Sequence, residues 1–248
     1  MQIHSMVNLL LMKTILRLIQ EHQSINSVDE LTHLLSQLST LLESECFLLG
    51  ISLSPLLRDS RTLIIDNYPH EWRKQYDQSG FMHIDPIVQY SAKNALPLSW
   101  ERIAPNGGAI FEEARCNGLH AGFSIPIHGR QGEFGMLSFA TSNPGAFKAN
   151  IDNLTITQLV VPIIIHNLKN IIKSHHTEYV NVQLTQREVE VISWVAEGKS
   201  TWEIATILSC SERTIKFHIS NLCRKLGAIN RCQAISKAIV GGHIHPDC

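Results

Sequence analysis

From Leu184 onward the sequence reads as short helices only, each with its own start and stop signal. "TQREVEVISWVAEG" opens on Thr185 with Glu188 three residues later, the spacing of a capping box, and stops at Gly198. "STWEIATILSC" is a second short helix, and "SERTIKFHISNLCRKLG" a third, with Ser211 as N-cap and Gly227 as terminator. "NRCQAISKAIVGG" is a fourth. Two helices joined by a tight turn, the later one basic, predict a helix-turn-helix.

On the third helix Ile215, Ile219, Leu222 and Leu226 fall at i, i+4, i+7 and i+11, which makes one buried stripe. The other side presents Arg213, Lys216, Phe217, Ser220 and Arg224. Between Ser211 and Arg231 stand five bases (Arg213, Lys216, Arg224, Lys225, Arg231) against one acid, Glu212, whereas in residues 1–183 acids exceed bases by 16 to 13. The net charge of -1 at pH 7 therefore hides a local basic face. Arg, Lys and short polar groups on the first half of such a helix suit the major groove, and bases near its end suit phosphates. A solvated basic face on an ordinary helical domain is the alternative.

The elements "LTQREVEV", "GKSTWEIA", "SERTIKFHISN" and "KLGAINR" closely resemble the LuxR-type DNA-binding module, over about 55 residues. The resemblance implies double-stranded DNA as a partner, a third helix in the major groove and a fourth that helps dimerisation. It places Lys216 and Ser220 at base edges, with Arg213 and Phe217 on the same face. Thr214, Asn221, Arg224 and Lys225 fall to phosphates or packing, and His218 reads as a core-edge histidine.

Ahead of this module the pattern is mixed. Residues 5–22 and 28–43 read as helices, "ECFLLGISL" and "RTLIID" as strands. "PHEWRKQYDQ" suits a short helix with Pro69 at its first position, "DPIVQYSAKN" another with Asp85 as N-cap, and "GAIFEEARCNG" a third closed by Gly118. "GFSIPIH" and "EFGMLSFA" flank the turn "GRQG" as a hairpin, and an apolar helix covers roughly 148–172. The expected fold class is α+β: an N-terminal α/β/α sandwich around an antiparallel sheet, then a C-terminal four-helix helix-turn-helix domain. Expected boundaries are 1–172 for the first domain, 173–183 ("KSHHTEYVNVQ") for a linker and 184–248 for the second.

One stretch of the first domain, "NYPHEWRKQYDQSGFMHIDPIVQY" at 67–90, gathers Tyr68, Trp72, Tyr76 and Tyr90 around the pair Asp85-Pro86. The pieces "NYPHEWRKQY", "DPIV", Trp100, "FEEARCNGLHAGFSIPIHG" and "GEFGMLSFA" resemble the autoinducer-binding domain of quorum-sensing LuxR proteins. A phosphorylated receiver domain is excluded, because the first 28 residues hold a single acid, Glu21. The resemblance implies an N-acyl-homoserine lactone as the small-molecule autoinducer. Trp72 would donate to the lactone carbonyl, Asp85 accept from the amide N–H, and Tyr68 and Ser138 donate to the amide carbonyl. Tyr76, Trp100 and Phe111 would wall the ring and tail, with Val88 and Met136, and Met82 and Ile87, along a tail of intermediate length. Arg73 either reaches a 3-oxo group through water or is simply exposed. The alternative is that Tyr68, Trp72 and Tyr76 form one core face of a helix, with Asp85 only a cap. An unpaired carboxylate in a closed pocket would be costly, which predicts a domain that is loose until ligand completes it.

The function expected is a ligand-responsive, DNA-binding regulator of quorum sensing, acting as an activator on a palindromic site as a homodimer. A regulator of the same build that answers another small molecule, or acts without ligand, is the alternative. An enzyme is not expected: no nucleophile–base pair is placed. "HIHPD" (His243, His245, Asp247) has the H-x-H-x-D spacing of zinc lactonases without the histidine that follows it there, so no metal or cofactor is expected. His175-His176 receives the same reading. The six scattered cysteines predict reduced thiols and a cytoplasmic location. "MVNLLLMKTILRLI" carries Lys13 and Arg17 at helical spacing, an amphipathic helix and neither a signal peptide nor a membrane span.

Overall fold

A computed structural model describes residues 2–22, 24–52, 62–103, 108–129, 133–143, 145, 154, 157–175 and 182–244. The chain folds as two compact units, the first holding the described residues up to 175 and the second those from 182. The first unit opens with α1 (Gln2–Glu21) and α2 (Val28–Leu41), the latter capped by Ser27, whose side chain accepts from the Glu30 N–H. Strands β1 (Cys46–Ser52) and β2 (Thr62–Asp66) follow. Then come α3 (His70–Gln78), α4 (Pro86–Lys93), the two-residue β3 (Leu98–Ser99) and α5 (Gly108–Cys116). Strands β4 (Ala121–His128) and β5 (Phe134–Thr141) and helix α6 (Val161–His175) complete it.

The five strands form one antiparallel sheet in the order β2-β1-β5-β4-β3. Period-two alternation gives the sheet two chemically different faces. Phe47, Leu49 and Ile51 stand beside Phe139, Leu137 and Gly135, which in turn pair Phe123, Ile125 and Ile127. Apart from the glycine, these side chains are fully buried; α2 packs its buried Leu31, Leu34, Leu35 and Leu38 on the β1 side of the sheet, and α6, with buried Ile164, Leu168 and Ile171, packs against α2. The other face carries Leu48, Gly50, Met136, Ser124 and Ser138. It is covered by Trp72 of α3, Ile87 of α4 and Ile110, Phe111 and Ala114 of α5. This is the α/β/α sandwich expected.

Details differ from the sequence reading. Pro69 stands just before α3 with an extended backbone rather than at its first position. Strand β3 was not expected, since two residues carry no periodicity; it exists because β4 offers an edge to Leu98 and Ser99. Helix α6 runs to His175, into the stretch expected as linker, while 176–181 lie outside the described residues. So do the turn residues 130–132 and most of 148–156 at the expected start of the long helix. Gly118 adopts φ +84°, the left-handed conformation that ends α5, as expected for a residue without Cβ.

The second unit contains α7 (Gln186–Ala196), α8 (Thr201–Ile207), α9 (Glu212–Lys225) and α10 (Arg231–Val240). Thr185 and Glu188 form the expected capping box, and Ser200 and Glu203 form a second one ahead of α8. Ser211 and Asn230 cap α9 and α10. Val191, Ile192, Val195, Ile204, Ile215, Leu222, Ala234 and Ala238 close the small core. Among the described residues no helix is long and apolar enough to cross a membrane, and the five described cysteines are free thiols.

Candidate ligand pocket and nucleic-acid interface

The polar sheet face and the helices over it leave a cavity of about 120 Å³. All ten residues singled out from the sequence line it: Tyr68, Trp72, Arg73, Tyr76, Asp85, Val88, Trp100, Phe111, Met136 and Ser138. They arrive from separate elements. Trp72 and Tyr76 sit one turn apart on α3, rings edge to face at 5.7 Å, and Trp100 meets Phe111 edge to face at 6.2 Å. Tyr68 precedes α3, its backbone N–H donating to Asp66 at 3.1 Å, so it does not continue a helical stripe with Trp72 and Tyr76. Leu48, Gly50 and Ser52 of β1 and Thr62 and Ile64 of β2 also line the cavity. Sequence reading missed these five, because only strand register brings them under α3 and α4; the small residue Gly50 in an apolar strand was the one available signal.

Asp85 is both a cap and a cavity residue. Its Oδ1 accepts from the Ile87 N–H at 2.7 Å and its Oδ2 from the Tyr76 hydroxyl at 2.7 Å, with 6% of the residue exposed. The expected uncompensated carboxylate is thus not observed, since the protein supplies the Tyr76 hydroxyl and the backbone N–H groups of Ile87 and Val88. Burial nonetheless outweighs them and pushes the Asp85 carboxyl above its usual range. Burial, and then the neighbouring Asp85 charge, drive the Tyr76 phenol far upward, so it remains a donor at any physiological pH. The Tyr68 phenol is raised well above its usual value too, first by burial. Neither the Tyr68 hydroxyl nor the Trp72 indole N–H has an acceptor among the described residues. Arg73 is neither exposed nor free: its Nε lies 3.2 Å from Asp66, a terminal nitrogen 3.5 Å from Asp77, and its guanidinium 5.7 Å from the Tyr76 ring centroid.

In the second unit Arg213, Phe217, Ser220 and Arg224 are exposed along the line of α9 opposite buried Ile215 and Leu222. Lys216 is exposed beside that line with only a loose 4.0 Å approach to Glu212. Thr214 is engaged by the cap, its Oγ1 2.9 Å from Ser211. Lys225 turns inward: its Nζ lies 2.6 Å from Glu188, whose side chain is 5% exposed. Arg231 is similarly committed, donating to the Lys199 carbonyl at 3.2 Å. Asn221 and His218 are half-buried, the latter ring 5.8 Å from Phe217. His245 and Asp247 lie outside the described residues, and no cluster of His, Cys, Asp or Glu among the described residues could hold a metal.

Comparison with known proteins agrees with both halves. The family described as "Autoinducer binding domain" matches residues 27–167, and "Bacterial regulatory proteins, luxR family" matches 182–238. The transcriptional activator protein VanR of Vibrio anguillarum is 57% identical over 95% of this chain and 99% of its own. The transcriptional activator protein LuxR of Aliivibrio fischeri is 38% identical over 94% of each. Among solved structures, Escherichia coli SdiA superposes with a TM-score of 0.75 at 26% identity, covering 94% of this chain and 98% of that one. SdiA in complex with octanoyl-rac-glycerol gives 0.73 at 26%, covering 94% and 95%. The chain belongs to the LuxR family of bacterial transcriptional regulators, with an autoinducer-binding domain ahead of a DNA-binding helix-turn-helix domain.

Proposed function

We propose that this protein senses an N-acyl-homoserine lactone in quorum sensing and, as a homodimer in the cytoplasm, activates transcription from a palindromic promoter site. The sensing domain extends to the end of α6 at His175, the linker follows up to residue 183, and 184–248 are the DNA-binding domain. The observation that carries the reading is the donor–acceptor array of the cavity: a buried carboxylate, Asp85, among donors of Trp72 and Tyr68 that lack protein acceptors among the described residues. An acyl-homoserine lactone presents one amide N–H between two carbonyls. Its amide N–H donates to Asp85, its lactone carbonyl accepts from Trp72, and its amide carbonyl accepts from Tyr68 and Ser138. Trp100, Phe111, Tyr76, Val88 and Met136 enclose the apolar parts, and the Arg73 guanidinium, already paired, adds a weakly available donor.

Two α9 helices of a dimer lie about one helical turn of DNA apart, giving a site of about 18–20 base pairs. Arg213, Lys216, Phe217 and Ser220 approach base edges, and Arg224 and Asn221 the backbone. Thr214 and Lys225 serve the fold of α9 rather than DNA, given their bonds to Ser211 and Glu188.

A second reading has one observation in its favour, the SdiA complex with octanoyl-rac-glycerol. Such a ligand keeps an acyl carbonyl but offers hydroxyls to Asp85 in place of the amide. The deciding experiment measures soluble yield and melting temperature of wild type and Asp85→Ala with a panel of acyl-homoserine lactones and with octanoyl-rac-glycerol. A chain-length-dependent gain with lactones, lost in the variant, is expected. A gain with the acylglycerol alone replaces the lactone by the second ligand class.

A further inference from the structure

Ser124 is fully buried and lies outside the cavity lining, yet it touches two residues that form it. Strand register puts Ser124 opposite Ser138 on the neighbouring strand, and opposite Leu98 on its other side, two residues before Trp100. The Trp100 indole N–H donates to Ser124 Oγ at 2.9 Å, and Ser124 Oγ lies 2.7 Å from Ser138 Oγ. Ser138 is 2% exposed and faces the cavity.

The direction of this chain follows from counting hydrogens. An indole nitrogen can only donate, so Ser124 Oγ must accept from Trp100. Ser124 then has one hydrogen to place, and among the described residues the only acceptor in reach is Ser138 Oγ. The opposite arrangement, with Ser138 donating back, would strand the Ser124 hydrogen in a fully buried site, an arrangement native interiors avoid. With Ser124 donating, Ser138 Oγ is already an acceptor inside the protein. Its own hydrogen has no protein acceptor among the described residues and is left for the cavity.

We propose that Ser124 is a positioning residue that fixes Ser138 as a hydrogen-bond donor toward the cavity, so that the pocket favours an acyl carbonyl at that point. Trp100 thereby has two roles, as a wall of the cavity and as the anchor of the polar relay. Such directional bias is set by residues the ligand never touches. The inference deepens the acyl-lactone reading and rests on it for the identity of the carbonyl, though an acylglycerol would present the same acceptor.

The test is the affinity ratio of full-length protein for N-octanoyl-homoserine lactone over its thioamide analogue, which keeps the amide N–H but replaces the carbonyl oxygen by a poorly accepting sulfur. Wild type should prefer the oxygen compound by more than the roughly three- to tenfold that one neutral hydrogen bond is worth, because Tyr68 donates to the same carbonyl. Ser138→Ala and Ser124→Ala should both lower the ratio to the same smaller value, the part that Tyr68 sustains on the same carbonyl, and the double variant should add nothing further. Ser124→Thr, which keeps the hydroxyl, should restore it. Should Ser124→Ala fail to fold, Ser124→Cys keeps the volume with a weak donor and should lower the ratio likewise. A wild-type ratio in Ser124→Ala or Ser124→Cys overturns the proposal, because Ser138 would then need no partner to donate. If wild type binds neither lactone, the acyl-lactone reading fails separately. The same ratio is then taken with octanoyl-rac-glycerol against 1-O-octylglycerol, which lacks the carbonyl, and equal binding of these two overturns the relay.

Discussion

The Tyr76 hydroxyl donates to Oδ2 of Asp85 at 2.7 Å, while the Ile87 N–H holds Oδ1 at the same distance. A carboxylate has about four acceptor positions, so capacity remains for a ligand N–H beside the donors of Tyr76, Ile87 and Val88. The carboxylate is therefore oriented by protein groups and does not depend on ligand for its first partners.

Tyr76→Phe removes the one side-chain donor that stabilises the charged form. A hydrogen bond to a charged group contributes about 1.5–3 kcal/mol, so lactone affinity at neutral pH should fall by roughly ten- to a hundredfold, partly because Asp85 then ionises less readily. Fluorescence titration of wild type and variant between pH 5 and 8 measures this, and the acid-side midpoint of binding should move upward in the variant.

The raised Asp85 carboxyl also sets a sign for stability. Its folded state binds the proton more tightly than the unfolded chain does, so its contribution to stability is greatest in acid and diminishes as pH rises through the raised value. Asp85→Asn removes this dependence. Without ligand, the variant should melt at or above wild type at pH 7.5, and the difference should vanish toward pH 4. Calorimetry across that range checks the prediction; a variant less stable at every pH contradicts it.

Glu188 behaves oppositely. Burial alone would raise its carboxyl, but hydrogen bonds from Lys225 and Thr185 overcome that and hold it below the usual range. The stabilisation is present above the ordinary carboxylate range and is lost as pH falls through the lowered value. Lys225→Met should destabilise the DNA-binding domain by about 1–3 kcal/mol, less than for a fully buried pair because Lys225 is 29% exposed. It should leave the salt dependence of DNA binding unchanged.

Arg224→Ala should do the reverse, keeping the melting temperature and reducing the slope of log affinity against log salt by about one. Lys216→Ala should relax base preference at one position of each half-site. A duplex selected from a random library, titrated at several salt concentrations, separates the three variants.

Gly50 forms the floor of the cavity between Ile64 and Met136. A Cβ there meets nothing nearer than Leu48 at 3.5 Å, so Gly50→Val should fold while filling part of the tail space. Melting shifts with N-octanoyl lactone should shrink relative to those with N-butanoyl lactone. Gly135→Ala is different in kind: its Cβ would collide with the backbone of Gly50 and Ile51, so loss of folded protein is the expected result.

Local chemistry made much of this protein legible before any coordinates. The caps at Thr185, Ser211 and Asp85, the buried stripe of α9 and the exposed bases opposite it depend on residues within a few positions of each other, where periodicity suffices. The motif resemblance pointed to the family and to the ten residues that meet at the cavity. Tertiary structure alone decided which groups are partners. Antiparallel register sets Gly50 beside Met136 and Ser124 beside Ser138, and a fold across α7 and α9 turns Lys225 from DNA toward Glu188. A sequence period tells which face a side chain occupies; whether its donor or acceptor is already used depends on atoms that only the folded chain brings within about 3 Å.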